Sequence, residues 1–215
     1  MNRCILVTRP SYDRPTRYIS AWAEIVIKEA RKRGEKVLDL VKERVNRKVF
    51  ESMVVHNKPS LIFLNGHGDY DRISGHDHEI LIQAGDNESV LSSAIVYNLS
   101  CRAAAELGER SIQSGTTAFI GYKNNFVLIN DPTKRTRPLE DEIAKLFLVP
   151  SNQVVTSLLK GHTVTEAHQA SLHSSFRNIS RMLTSEASDA DRSIIPYLLW
   201  NAKSQVCLGD RQARM

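Results

Sequence analysis

The sequence predicts an α/β protein in which a mostly parallel central sheet of about six strands carries helices on both faces. Short apolar runs rich in β-branched residues alternate along the chain with segments whose apolar residues recur every three or four positions. These are the patterns of buried strands and amphipathic helices. The chain has 215 residues, of which 41% are hydrophobic, and this is enough for one substantial core. We therefore expect a single domain over residues 1–215.

The first half of the chain predicts three strands and two helices. The strands are CILVT at 4–8, KVLDLV at 36–41 and SLIFLN at 60–65, and the helices are 16–33 and a segment from about Val45 that stops before Pro59. Asp13 or Thr16 is placed to cap the first helix, and Gly34 to end it. Proline disfavours helical geometry in the residue before it, which limits the second helix.

The second half predicts three further strands and a long helical region. The strands are AIVYNLS at 94–100, TAFIGY at 117–122 and SQVCLGD at 204–210, and the helices are 102–115, 138–149 and 152–184. Pro150 and Gly161 are expected to interrupt the helical region, because proline lacks an N–H and glycine commonly ends helices.

Charge and hydropathy argue against a nucleic-acid partner and against a membrane. The net charge is +5, but the basic residues are dispersed among acidic ones, as in KEARKRGEK, which is typical of solvated helix faces. No apolar stretch approaches the roughly 18 residues of a membrane-spanning helix. The first residues lack the length and cleavage site of a signal peptide, so we expect a cytoplasmic protein.

His67 and Cys101 follow two successive predicted strands at the point where each strand ends, and they can come together if these strands are neighbours in the sheet. His67 lies between Gly66 and Gly68 after the third strand, and Cys101 follows the fourth. In an open parallel sheet the functional site lies beyond the carboxyl ends of the strands, and neighbouring strands are about 4.8 Å apart. We therefore expect imidazole and thiol to reach one substrate carbonyl.

Thiol and imidazole together form a nucleophile and an acid–base group. A thiol attacks as its thiolate, and an adjacent imidazole can stabilise that charge or protonate a leaving amine. Cys101 is predicted at a strand-to-helix junction, where backbone N–H groups and the helix dipole would lower its pKa. The N–H groups of Cys101 and Gly68 are the predicted oxyanion donors. Cys4 and Cys207 lie inside predicted strands and are interpreted as buried structural residues, so neither a disulfide framework nor a zinc site is expected.

LIFLNGHGD, followed by IVYNLSCRAAAELG and TAFIGY, resembles the caspase-fold cysteine peptidases, and within them most closely the gingipain type. The resemblance implies a caspase-like three-layer sandwich and a cysteine endopeptidase that hydrolyses peptide bonds through a thioester, without a cofactor. It assigns Cys101 as the nucleophile and His67 as its partner. It also suggests Asp13 as the acidic third member that orients the histidine, although Asp69 and Asp71 are near in the sequence. The absence of a leader further suggests an intracellular regulatory protease.

Four residues are candidates for substrate binding. Leu99 stands where relatives that cut after basic residues often carry aspartate, and Arg102 is retained from the caspase motif around the nucleophile. Arg9 and Arg14 lie in the loop from which caspases contribute an arginine that binds an acidic side chain, and arginine pairs bidentately with carboxylates. The preferred cleavage residue and the oligomeric state stay open.

Two other functions remain as alternatives. The segment 67–78, HGDYDRISGHDH, contains histidines and aspartates that could hold a catalytic metal ion. In that case Cys101 would have no role. The second alternative is a non-catalytic interaction module on the same fold, because a fold does not determine a function.

Overall fold

A computed structural model describes residues 3–215, and a central six-stranded sheet dominates it. The strands are β1 Cys4–Arg9, β2 Lys36–Val41, β3 Leu61–Asn65, β4 Gly68–Asp69, β5 Arg72–Ser74, β6 Ile80–Gln83, β7 Ile95–Leu99, β8 Ala118–Tyr122 and β9 Gln205–Gly209. The α-helices are α1 Arg14–Lys32, α2 Arg47–Asn57, α3 Glu106–Gln113, α4 Glu142–Leu159, α5 Val164–Met182, α6 Asp189–Arg192 and α7 Ile195–Ser204. All the strands predicted from the sequence are present.

The central sheet has the order β2-β1-β3-β7-β8-β9. Its first five strands are parallel, and β9 pairs antiparallel with β8. Asn65 at the end of β3 lies opposite Leu99 at the end of β7, so the chain leaves these two neighbouring strands at the same height. The predicted mostly parallel sheet is confirmed.

Helices cover both faces of this sheet because the side chains of each strand alternate between them. On one face α1, α4 and α5 bury residues such as Val7, Phe63 and Tyr97. On the other face α2, α3 and the strands β5 and β6 cover Leu64 and Val96. Every residue of β3, β7 and β8 is buried, which explains why these strands are continuous apolar runs rather than alternating ones.

A small antiparallel sheet formed by β4, β5 and β6 was not predicted from the sequence. The glycines and charged residues of segment 67–78 give it a loop-like composition. The buried residues Ile73, Leu81 and Ile82 nevertheless pack beneath it against the central sheet. Strands this short carry too few apolar positions to show a period.

The helix α4 continues through Pro150, where the sequence predicted an interruption. A proline inside a helix leaves the carbonyl four residues earlier without its N–H partner. Here that carbonyl belongs to Leu146, and it accepts a hydrogen bond of 3.0 Å from Asn178 Nδ2 on α5. A contact between two helices therefore replaces the missing backbone bond, while the second expected break holds and α4 ends before Gly161.

The third helix begins later than predicted, at Glu106 rather than near Arg102. Two of the intervening N–H groups bond to the end of β8 and the residues after it: Arg102 N donates to Asn124 O and Ala104 N to Tyr122 O, both at 3.1 Å. Within residues 3–215 no helix combines the length and the hydropathy needed to cross a membrane.

Candidate functional site

The ends of β1 and β3 are locked together just before His67. Asn65 N donates to Thr8 Oγ1 at 2.8 Å, and the Asn65 side-chain amide donates to Thr8 O at the same distance. Both residues are fully buried, so these bonds are shielded from water. This pairing fixes the point at which the chain leaves the sheet toward the histidine.

Glycine on each side of His67 permits two close backbone approaches. A Cβ on Gly66 would collide with the carbonyl of Ser74 on β5, and one on Gly68 would collide with Ser100 and lie 2.7 Å from Cys101 O. Cβ atoms essentially never come so near a backbone oxygen. The loop after β3 therefore lies directly against the loop that carries Cys101.

The His67 ring is held by Asp13, with 2.6 Å between His67 Nε2 and Asp13 Oδ2. Asp13 is also the N-cap of α1, where its carboxylate accepts from Thr16 N and the Thr16 hydroxyl. Neither of the alternative carboxylates forms this contact. Asp71 pairs with Arg72 at 2.8 Å, and Asp69 lies 3.5 Å from Arg102.

The charge of Asp13 fixes which nitrogen of His67 carries a proton. Burial raises the pKa of this carboxyl, but hydrogen bonds from Thr16 and His67 outweigh that effect and leave the pKa below its usual value. An ionised carboxylate only accepts hydrogen bonds, so Nε2 of His67 must carry the hydrogen. In the neutral ring, Nδ1 then keeps its lone pair for acid–base chemistry.

Cys101 is half-buried, and its Sγ lies 3.8 Å from Phe126 O. Burial raises the pKa of its thiol above the usual value, and the nearby Arg102 charge lowers it by less. The sequence predicted a lowered pKa from the N-terminus of a helix. That expectation is wrong because α3 begins only at Glu106, beyond the reach of a helix dipole that fades within one turn.

The two predicted oxyanion donors are free of competing partners. The His67 carbonyl accepts from Ser74 N on β5, so in the same trans peptide the N–H of Gly68 points away from β5. Within residues 3–215, Cys101 N donates to no other backbone carbonyl.

The segment 123–128 lies beside the thiol and is fastened to α7. Asn201 on α7 binds both polar groups of Val127, accepting from its N–H at 2.9 Å and donating to its carbonyl at 2.7 Å. Trp200 Nε1 donates to Asn125 O at 2.8 Å. These bonds hold Phe126 against Cys101.

Two of the four predicted substrate-binding residues are unsuited to that role in this conformation. Arg9 pairs bidentately with Asp39, with distances of 2.8 and 2.9 Å, so its guanidinium is not free for a substrate carboxylate. Leu99 is only 2% exposed and belongs to the hydrophobic core. The sequence could not show the pairing of Arg9, because Asp39 is distant in the chain, whereas the burial of Leu99 follows from its position in a predicted buried strand.

The other two predicted residues border the site. Arg14 is exposed in the first turn of α1, directly after Asp13. Arg102 adopts a left-handed backbone conformation with a φ of 60°. Its guanidinium lies over the Tyr70 ring, 5.0 Å from the centroid, which is within the range of a cation–π contact.

The proposed metal ligands of segment 67–78 do not converge. His67 is bound to Asp13, while His76 accepts from Ser11 N at 3.3 Å. Within the described residues no group of three or more His, Cys, Asp or Glu side chains is arranged to hold a metal ion. Cys4 and Cys207 are buried free thiols, as expected from their strands.

Sequence reasoning missed two residues that touch His67. The His78 ring stacks on the His67 ring with centroids 5.5 Å apart, and the Tyr12 ring lies 6.0 Å away. The sequence indicates His78 only as a possible metal ligand and indicates no role for Tyr12. The adjacency of Tyr12 to Asp13 is the one sequence signal that could have indicated its position.

Comparison with known proteins supports the fold of the chain but does not establish its activity. No protein-family model and no curated protein sequence matches the chain. Among solved structures, the chain is similar to the complex of the RgpB pro- and mature domains of Porphyromonas gingivalis, a gingipain, with a TM-score of 0.58 and 12% sequence identity. The match covers 98% of this chain but 47% of the gingipain chain, so the protein spans about half the length of that structure. The chain thus has a caspase-like α/β sandwich fold, and its resemblance to gingipains holds for the fold.

Proposed function

We propose that this protein is a cysteine endopeptidase that uses Cys101 and His67 as a dyad, with Asp13 as the third member. One observation carries the proposal. Gly68, the residue after His67, packs so closely on Ser100 and Cys101 that no side chain fits between them. The imidazole and the thiol therefore come from touching loops at the carboxyl ends of neighbouring parallel strands, where open α/β sheets bind their ligands.

In the proposed mechanism Cys101 attacks the carbonyl carbon of the scissile peptide bond. Its thiol proton passes to His67 Nδ1, and a C–S bond forms as the carbonyl oxygen becomes an oxyanion. The imidazolium of His67 then donates that proton to the peptide nitrogen, so the C–N bond breaks and the amine leaves. Water next attacks the thioester while His67 takes its proton. The C–S bond then breaks, the acyl group leaves as a carboxylic acid, and His67 returns the proton to the sulfur, which restores the thiol.

The environment of His67 and the loop amides support these steps. Asp13 holds Nε2 and stabilises the imidazolium that forms in the first step, since the two opposite charges would then be in contact. The free N–H groups of Gly68 and Cys101 are the proposed oxyanion donors, and one such donor contributes a factor of about 10² to 10³ in kcat. Arg14, exposed beside Asp13, is the remaining candidate for contact with an acidic substrate side chain.

The raised pKa of Cys101 means that the free protein should carry little thiolate at neutral pH. Thiols attack as thiolates, and substrate binding or displacement of residues 123–128 is one way in which the thiolate fraction could rise. Proton transfer to His67 during attack meets the same need without a free thiolate.

A peptide library incubated with the purified protein and analysed by mass spectrometry would test the proposal. Cleavage by the native chain is expected, and Cys101→Ala and His67→Ala should each lower kcat/KM by a factor on the order of 10³ or more. Circular dichroism of both variants should match the native protein, because neither side chain is part of the core.

Cys207→Ala is the matched control, since it also removes a free thiol but one buried away from the strand ends. It should retain turnover. Full activity of Cys101→Ala would exclude the thiol mechanism. Absence of cleavage by the native chain, together with no selective modification of Cys101 by iodoacetamide, would favour the non-catalytic interaction module.

A further inference from the structure

His67 is surrounded by a cluster of rings that the proposed mechanism does not use. Tyr12 lies edge-on to His76 and His78, with centroids 5.2 and 4.9 Å apart. The His78 and His67 rings are nearly parallel, at an interplanar angle of 25°. The Tyr12 hydroxyl and His78 Nδ1 are 3.2 Å apart and hydrogen-bonded. His78 is thus fixed to Tyr12 on one side and stacked on His67 on the other.

The backbone that carries His78 has an uncommon conformation. Asp77 and His78 both have left-handed conformations, with φ angles of 48° and 63°. Such angles are uncommon outside glycine, although aspartate and histidine adopt them more readily than most residues do. Gly75 N donates to Glu79 O at 2.7 Å, which closes the turn. The His78 residue is exposed, so burial of an apolar side chain does not account for its conformation.

The hydrogen bond to Asp13 does not fix the His67 ring by itself. It anchors only Nε2, and the ring can still tilt about that anchor, because the torsion next to an aromatic ring is broad. A tilt moves Nδ1, which is the atom that must face the thiol. A flat ring stacked on one face of His67, with Tyr12 on the edge, limits that tilt.

We propose that His78 is a positioning residue, which acts by holding the His67 ring at the angle that directs Nδ1 toward Cys101. Tyr12 holds His78 in turn. This inference rests on the proposed peptidase function, but the stack itself can be measured without activity. Misplacement of a reacting group by about 1 Å can cost a factor of 10² in rate, so the effect should appear in kcat rather than in KM.

His78→Asn is the decisive variant, because asparagine tolerates left-handed angles but has no ring to stack. It should lower kcat about 10- to 100-fold with little change in KM. Tyr12→Phe keeps the ring and loses only the hydroxyl, so its kcat should fall by less. His173→Asn on α5, which removes another exposed histidine, should leave kcat unchanged.

The proton NMR chemical shifts of the His67 ring provide a second measurement, which would not change if His78 only stabilised the fold. Stacking shifts ring protons upfield, and His78→Asn should remove that shift while Tyr12→Phe reduces it. The inference is overturned if the His67 ring resonances do not change in His78→Asn, or if kcat stays within about twofold of native. A change in KM alone would also overturn it and would make His78 a substrate contact. If the native chain cleaves no peptide, the proposed function fails, and the NMR comparison still decides whether the stack exists.

Discussion

At the scale of single residues, Asp13 has two tasks. Its carboxylate caps α1 by accepting from Thr16 N at 2.9 Å, and its second oxygen holds His67. An N-cap side chain contributes about 1 kcal/mol to helix stability. The same residue therefore affects both the stability of the fold and the orientation of the proposed acid–base group.

Two substitutions at this position separate the tasks. Asparagine caps helices as well as aspartate does but carries no charge. Alanine neither caps a helix nor carries a charge. Asp13→Asn should keep most of the free energy of unfolding and lose activity, and Asp13→Ala should lose activity and also about 1 kcal/mol of stability. Both should retain more activity than His67→Ala. Urea unfolding and peptide hydrolysis would measure the two effects, and equal stability losses in the two variants would contradict the capping role.

The strand ends explain which site residues could be predicted. His67 and Cys101 follow apolar runs whose ends are visible in the sequence, whereas Asp13 was indicated as a site residue only by the resemblance to gingipains. The occupied guanidinium of Arg9 was not predictable, since it results from packing between distant segments, whereas the burial of Leu99 follows from its position in a predicted buried strand. The partial burial of Cys101 beside Phe126 was not predictable either, because these residues are 25 positions apart in the chain.

At the scale of elements, α7 controls how closely segment 123–128 approaches the thiol. Asn201 makes two hydrogen bonds to Val127, and Trp200 makes a third to Asn125. The neighbouring residue Phe126 touches Cys101 through its carbonyl. Opening of this segment should therefore expose the thiol, and the energy of opening includes these bonds.

Asn201→Ala should increase the rate at which iodoacetamide modifies Cys101, by up to about tenfold for the loss of roughly 1.4 kcal/mol of hydrogen bonding. Asn178→Ala is the matched control, because it also removes an amide that binds a backbone carbonyl, but between α4 and α5. That variant should react at the native rate. Equal acceleration in both variants would mean that general loosening, and not release of this segment, exposes the thiol.

Helix positions were easier to predict than helix continuity. The periodic apolar residues of α1 and α5 indicated both helices. The passage of α4 through Pro150 was hidden, because it needs the amide of Asn178 from another helix. The helix α7 was missed altogether, and it begins immediately before Pro196, which is favoured in the first turn of a helix.

At the scale of the whole molecule, one histidine couples global stability to pH. His168 on α5 is half-buried, and its Nε2 is buried without a hydrogen-bond partner among the described residues. Burial lowers the pKa of this imidazole below its usual 6.5. The unfolded chain therefore binds a proton at a higher pH than the folded chain does, and stability decreases as the pH falls through 6.5. The spacing of His162, His168 and His173 along the sequence predicts a surface position for all three, which is wrong for the His168 ring.

Replacing His168 with leucine should flatten this pH dependence. The free energy of unfolding, measured with urea at pH 7.5 and 5.5, should fall on acidification in the native chain and fall less in His168→Leu. Asp13 and the other carboxyls with lowered pKa values lose their contribution only at lower pH, so they do not obscure the comparison. His173→Leu changes an exposed histidine and should show the same dependence of unfolding free energy on pH as the native chain. If His168→Leu also shows the native dependence, the assignment to His168 is refuted.

The fold class was predictable from the alternation of strands and helices, because continuous apolar strands require cover on both faces. The antiparallel direction of β9 was not predictable, since a single short strand does not reveal its orientation.

The direction of β9 determines where the chain ends. The strand runs from Gln205 beside Tyr122 back to Gly209 beside Ala118, which returns the chain to the end of the sheet where β1 starts.

Arg3 consequently reaches the carbonyl of Met215, with 3.3 Å between Nη1 and the oxygen. Both ends of the described chain therefore emerge together on the side of the molecule opposite His67 and Cys101. A resin, sensor surface or fluorescent label coupled near either end of the described chain would leave His67 and Cys101 facing solution. Immobilised protein should thus present its thiol to peptides as freely as protein in solution does.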